Sequence, residues 1–234
     1  MIKTLKLPKF IFVVGSAASG KSTLANCIKI RFPVYNMVND LNKFKEWLKN
    51  KQTTNKPCSI KSLASGGFRI IDPVVWDRAL ISIVKWINLE AFYIFEFARG
   101  IDLKYLKLLG LEKYQVYNHC FKIILDAQPN VRINEMLIIH IHCDFDSRIR
   151  RNCIRKEKGE HFVDESVMRR VYFEDNFRYI AIGNNHGYLN NKSKISIFSV
   201  DNSKELLPKK RVEYFNLQIQ MALSFYVKQI EKKR

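Results

Sequence analysis

Long apolar runs are missing from this chain: nothing in its 234 residues is long enough to cross a bilayer as a helix. The five cysteines (Cys27, Cys58, Cys120, Cys143 and Cys153) are odd in number, widely spaced and without a C-x-x-C pair. That argues against a disulfide framework and a zinc-type cysteine lid, and for reduced thiols in a cytoplasm. A secretory leader is not expected either. Lys3, Lys6 and Lys9 precede an apolar stretch, and Ala17-Ala18-Ser19 imitates a cleavage region, but the apolar part runs only from Phe10 to Val14. Internal repeats and interdomain linkers are absent, so the expectation is one domain over 1–234 with a substrate-binding insert at 51–70. Acidic residues are few: 22 against 40 lysines and arginines, a net charge of +18. Such an excess attracts polyanions, nucleic acid among them. The basic residues are spread along the chain, densest at Arg148, Arg150, Arg151, Arg155 and Lys156. A nucleic-acid footprint and a solvated basic surface both stay open.

What is present begins at Gly15-Ser16-Ala17-Ala18-Ser19-Gly20-Lys21-Ser22, a full match to G-x-x-x-x-G-K-[ST]. Ile11-Phe12-Val13-Val14 enters it as a strand, and Thr23-Leu24-Ala25-Asn26 leaves it as a helix start. A strand, a Gly-rich turn and a helix N-terminus form an anion cradle. In that cradle Lys21 reaches the outer phosphates of a nucleoside triphosphate, and the Ser22 hydroxyl reaches Mg²⁺.

Beyond it, apolar strands alternate with helical stretches, the pattern of a parallel sheet covered by helices. Strands are expected at 10–14, 34–38, 91–97, 136–143 and 195–200. Helices are expected at 21–31, from Asn39-Asp40 through Phe44, Trp47 and Leu48, from Asp72-Pro73 with Val75, Leu80, Val84 and Ile87 as the apolar stripe, and over 103–127 with a break near Gly110. Further helices follow Asp144 or Asp146, span 165–176, and start at Pro208 with a stripe of Val212, Phe215, Ile219, Ala222 and Tyr226. Residues 183–194 read as a turn-rich loop.

Ligands of such sheets sit beyond the carboxyl ends of the strands. Asp40 follows strand two and Glu96 ends strand three. Phosphoryl transfer needs a group to orient or deprotonate the accepting hydroxyl and carboxylates to hold Mg²⁺. Asp40 also reads as a helix N-cap. Glu96 closes a buried-looking run, where a lone charge needs a partner or a function. Arg99 either binds the acceptor or pairs with Glu96; Asp102 lies on the same loop. Arg148, Arg151 and Arg155 share a helical face and suit a phosphoryl clamp or a solvated face. With the charged stretch to His161 and the helix from Asp164, they suggest a lid over 148–165. His140 and His142 point to one side of a strand and read as satisfied core histidines rather than metal ligands. Phe92, Tyr93, Phe95, Tyr172 and Phe173 read as core. Gly66-Gly67-Phe68-Arg69 is a substrate loop or an ordinary turn.

On Gly15–Ser22, Asp40, Glu96 with Arg99, the arginine-bearing helix and Val200-Asp201-Asn202, the chain resembles the P-loop nucleoside and nucleotide kinase superfamily. The resemblance implies a three-layer α/β P-loop NTPase fold with a five-stranded parallel sheet ordered 2-3-1-4-5. It also implies ATP·Mg²⁺ as donor and places Asn202 near the adenine. The chain departs from deoxynucleoside kinases in the two residues that separate Glu96 from Arg99. Together these readings make the chain an ATP-dependent phosphotransferase for a small-molecule acceptor. Gly15, Ser16, Ala17, Ala18, Ser19, Gly20, Lys21, Ser22, Thr23 and Asn202 would bind the nucleotide, and Ser22 and Glu96 the metal. Lys21, Asp40, Glu96, Arg99, Arg148, Arg151 and Arg155 would form the catalytic set, with the roles of Asp40 and Glu96 exchangeable. A nucleic-acid-directed NTPase and a non-catalytic nucleotide-binding regulator are the alternatives.

Overall fold

Phe10–Val14 (β1) is apolar and buried at every position, as befits a strand covered on both faces. A computed structural model describes the chain at residues 6–52, 60–62, 68–70, 74–85, 87–175, 186–187 and 195–232. In chain order, β1 is followed by α1 (Lys21–Arg31), β2 (Tyr35–Asn39), α2 (Asp40–Gln52), β3 (Ile60–Ser62) and β4 (Phe68–Ile70). Then come α3 (Val75–Lys85), β5 (Phe92–Phe97), α4 (Leu103–Leu109), α5 (Val116–Ala127) and β6 (Met136–His142). The last part holds α6 (Phe145–Glu157), α7 (Glu165–Val171), β7 (His186–Gly187), β8 (Ser196–Asp201) and α8 (Pro208–Glu231).

The main sheet runs β2-β5-β1-β6-β8-β7. Its first five strands are parallel, and numbered among themselves they give the expected order 2-3-1-4-5. The two-residue β7 adds an antiparallel edge. One face of the sheet packs on α3 and α5 through Phe12, Phe95, Phe121 and Ile138. The other packs on α1 and α8 through Ile11, Leu24, Ile139 and Phe215. These are the three layers of the fold.

Several boundaries move. Asp40 does not cap α2: Asn39 Oδ1 accepts from the Asn42 backbone N–H at 3.1 Å, and Asp40 is the first helical residue. The break at Gly110 is a left-handed C-cap with φ +62°, a conformation that costs glycine little. α7 stops at Val171 instead of Asn176, because its C-cap Tyr172 leaves the helical path. On α8, Phe215, Ile219, Ala222 and Tyr226 are buried but Val212 is exposed. Phe173, expected in the core, is also exposed. Within the expected insert, β3 and β4 form an antiparallel pair. Cys58, Gly66-Gly67, the cap Asp72-Pro73 and most of the 183–194 loop lie outside the described residues. No helix among the described residues is long and apolar enough to cross a membrane.

Candidate active site

The turn after β1 is shaped by its backbone. Gly15 has φ +152°, and a Cβ there would meet the Ile141 carbonyl oxygen at 2.5 Å. Ala18 at φ +61° and Gly20 at φ +104° turn the loop back on itself ahead of α1, the kind of concavity in which successive N–H groups face an anion. The Ser16 and Ser19 hydroxyls are buried with no hydrogen-bond partner among the described residues. Buried polar atoms are seldom left unpaired, and two idle donors in an anion cradle suit phosphate oxygens. Lys21 is also buried, and its Nζ donates to the Ser16 carbonyl at 2.8 Å. Burial lowers its pKa, while Glu96 and Asp40 act in the opposite direction.

Parallel pairing of β2 with β5 sets Asn39 opposite Glu96. Asn39 Nδ2 donates to Glu96 Oε2 at 2.9 Å, and Ser22 Oγ donates to Glu96 Oε1 at 2.6 Å. The buried Glu96 carboxylate is thus satisfied at both oxygens and joined to the helix that follows the phosphate loop. A hydroxyl and a carboxylate oxygen in contact are ligands that a hard cation such as Mg²⁺ takes.

One residue on, Asp40 Oδ2 accepts from the Ala98 backbone N–H at 3.1 Å and from Arg99 Nη1 at 3.3 Å. Arg99 therefore pairs with Asp40, not with Glu96. Its guanidinium also lies over Trp76 at 5.1 Å and Phe97 at 5.3 Å, and Trp76 stacks on Phe44. Burial raises the Asp40 pKa, and Arg99 opposes the rise.

These groups meet in one cavity of about 700 Å³, within the usual range for small-molecule sites. Ala17, Ala18, Gly20, Lys21 and Ser22 form its floor, with Asp40, Glu96, Trp76 and Arg99 beside them. Thr23 and Asn202 are not among the lining residues. Asn202 instead donates from Nδ2 to the Ser19 carbonyl at 2.7 Å, at the place a Gly20 Cβ would fill. That contact braces the phosphate loop.

The opposite wall comes from α6 and α7. Asp144, not Asp146, caps α6 through the Ser147 N–H at 2.8 Å. The three arginines of the expected clamp separate. Arg148 is fully buried, and its Nε, Nη1 and Nη2 donate to the carbonyls of Cys143, Tyr172 and Phe173. Arg151 donates to Cys143 Sγ and to the Asn202 carbonyl. Arg155 alone of the three lines the cavity, where it is joined by Arg170 of α7. The correction is steric: a turn-spaced face is wide, and neighbouring chain covers the part holding Arg148 and Arg151.

The chain between α6 and α7 is tied at its base. Asn152 donates to the Val163 carbonyl at 2.6 Å and accepts from the Val163 N–H at 2.9 Å. The Ile101 N–H donates to the Val171 carbonyl at 2.7 Å, and a Cβ on Gly100 would come within 2.6 Å of that same oxygen. Beyond Val171, Asp175 Oδ2 takes His140 Nε2 at 2.9 Å and His142 Nδ1 at 3.2 Å. Burial alone would raise the Asp175 pKa, but the two imidazoles hold it well below the carboxylate range, and Asp175 raises that of His142. His140 and His142 are thus partners of a carboxylate. Among the described residues no group of three or more His, Cys, Asp or Glu suits a metal ion by itself.

Sequence reasoning missed Asn39, Trp76, Asn152, Arg170 and Asp175, and also Lys45, which lines the cavity from α2. Asn39 had a signal, adjacency to Asp40 at a strand end. The others gain their place only through packing between distant segments.

Sheet order and phosphate loop define a three-layer α/β P-loop fold. No family model and no curated protein matches the sequence. Among solved structures the chain is similar to a sugar kinase from Janibacter sp., with a TM-score of 0.52 and 12% identity over 93% of this chain and 97% of that one. It is also similar to a gluconokinase from Sinorhizobium meliloti, with a TM-score of 0.50 and 13% identity over 95% and 98% of the two chains.

Proposed function

We propose that the chain is an ATP-dependent kinase of a small hydroxyl-bearing molecule. The observation that carries this reading is the pairing, in one cavity, of a phosphate loop bound to Glu96 through Ser22 with an adjacent Asp40–Arg99 unit. The idle Ser16 and Ser19 hydroxyls and buried Lys21 fit the phosphates of ATP, and Ser22 with Glu96 fits Mg²⁺. Bound there, ATP·Mg²⁺ supplies the transferable phosphoryl group and part of its charge neutralisation. Lys21 and Arg155 offset negative charge on the phosphates. Asp40, its pKa raised by burial, orients the acceptor hydroxyl and takes its proton. Arg99 fixes the Asp40 carboxylate. The arm from α6 to α7 is the lid, excluding water above the reacting groups.

The same arm favours a small acceptor over a polynucleotide, which needs an open groove along its backbone. A non-catalytic regulator has less use for Asp40 and Arg155 facing one space. The test is Lys21→Ala, assayed by ADP release over a panel of nucleosides, nucleotides, sugars and oligonucleotides. Turnover is expected to fall by about 10²–10³, the scale of losing one charge-stabilising donor, with the circular dichroism melt unchanged. Turnover equal to that of the parent protein overturns the assignment.

A further inference from the structure

Five cationic side chains line the cavity, those of Lys21, Lys45, Arg99, Arg155 and Arg170. Five carboxylates line it, those of Asp40, Glu96, Asp102, Glu160 and Asp164. Four of them are engaged: Asp40 by Ala98 and Arg99, Glu96 by Ser22 and Asn39, Asp102 at the start of α4, and Asp164 at the start of α7. Only Glu160 stands opposite the cations Lys45, Arg155 and Arg170, none of which pairs with an acid among the described residues.

The Arg155 charge is felt both at Lys21 and at His161. Lys45 lies on α2, on the face that begins with Asp40 and Leu41 and includes Phe44, which is stacked on Trp76. Five residues of helix separate Asp40 from Lys45, about 7.5 Å along the axis. Next to Lys45 across the cavity is His161; burial, then the charges of Lys45 and Arg155, push its pKa down. A neutral imidazole beside a lysine offers a hydrogen bond as well as charge. A molecule whose hydroxyl reaches Asp40 therefore meets an unpaired ammonium at the far end of its body.

We propose that Lys45, with His161, forms an anion subsite for the acceptor, so that the phosphorylated molecule carries a phosphate or carboxylate group of its own, separate from the hydroxyl that reacts. This deepens the kinase reading and rests on its placement of the acceptor beside Asp40. A neutral acceptor would leave the Lys45 charge unused.

Matched pairs test it: glucose with gluconate and with glucose 6-phosphate, and nucleosides with their 3′-monophosphates. Binding to the nucleotide-free protein is read by calorimetry, and turnover by ADP release. The anionic member of at least one pair should bind about tenfold or more tightly than its neutral counterpart, a gain of about 1.4 kcal/mol. Lys45→Ala should erase that gain and leave the neutral member's binding and the KM for ATP unchanged. Gluconate against the phosphates tells which anion is read. A panel in which no anion outbinds its neutral partner overturns the proposal, as does a preference that survives both Lys45→Ala and Lys45→Glu. Anion-selective binding with no ADP release from any acceptor would instead defeat the kinase reading and leave the subsite standing. Equal turnover of neutral and anionic members would do the reverse.

Discussion

Asp40 and Glu96 sit on neighbouring strand ends, yet their partners divide the chemistry between them. Glu96 accepts two neutral donors, from Ser22 and Asn39, beside the phosphate loop. Asp40 is held at one oxygen by Ala98 and Arg99, while burial favours its protonated form. A carboxylate poised in this way suits proton transfer. Asp40→Asn is therefore expected to lower kcat by about 10²–10⁴, the usual worth of a general base, without weakening nucleotide binding. Steady-state kinetics and a nucleotide titration check this; an unchanged kcat would remove Asp40 from the mechanism. Both carboxylates were legible in the sequence because parallel sheets present strand ends to ligands. The partner of Arg99 was not. It depends on the register that sets Asn39 against Glu96, which carries Asp40 past the strand end to the Ala98 N–H.

At the scale of elements, α6 shows how little helical spacing says about exposure. Arg148 and Arg155 are seven residues apart on one face, yet one is sealed by Cys143, Tyr172 and Phe173 and the other lines the cavity. The sealing segment is more than twenty residues further along the chain, so no local pattern announces it. Arg148→Met would leave carbonyls without donors at about 1–3 kcal/mol for each buried group. For the three carbonyls that is about 3–9 kcal/mol in all, so the melting temperature should fall by at least about 6 °C, given about 2–4 °C per kcal/mol for a domain of this size. Arg155→Ala should melt like the parent protein and lose turnover instead. Scanning calorimetry on both variants makes the comparison; equal melting of Arg148→Met and the parent would contradict the structural role given to Arg148.

Over the whole molecule, the alternation of strands and helices announced a parallel sheet covered by helices, and its order was implied by the resemblance that the phosphate loop carries. The link that joins β6 to the end of the α7 segment could not be read in advance, since His140 and His142 give no hint of Asp175. That link predicts a pH response. The His142 pKa is raised in the fold, so its stabilisation is complete below the usual imidazole value of 6.5 and fades as pH climbs through the folded value. The Asp175 pKa is depressed, so its stabilisation is present above 3.8 and is lost only as pH falls toward its folded value. The joint contribution should be greatest between those two reference values. Urea midpoints measured at pH 5.5 and pH 8 should show it, after subtraction of the same difference in an Asp175→Asn variant. A difference unaltered by that substitution would rule the link out.

The double hydrogen bond between Asn152 and Val163 closes the chain of residues 153–162 into a ring at its root. A ring so fastened does not fray residue by residue. On the kinase reading proposed above, opening over the cavity would be a single event, with one rate for the whole arm, and that rate would set how quickly a product trapped beneath it leaves.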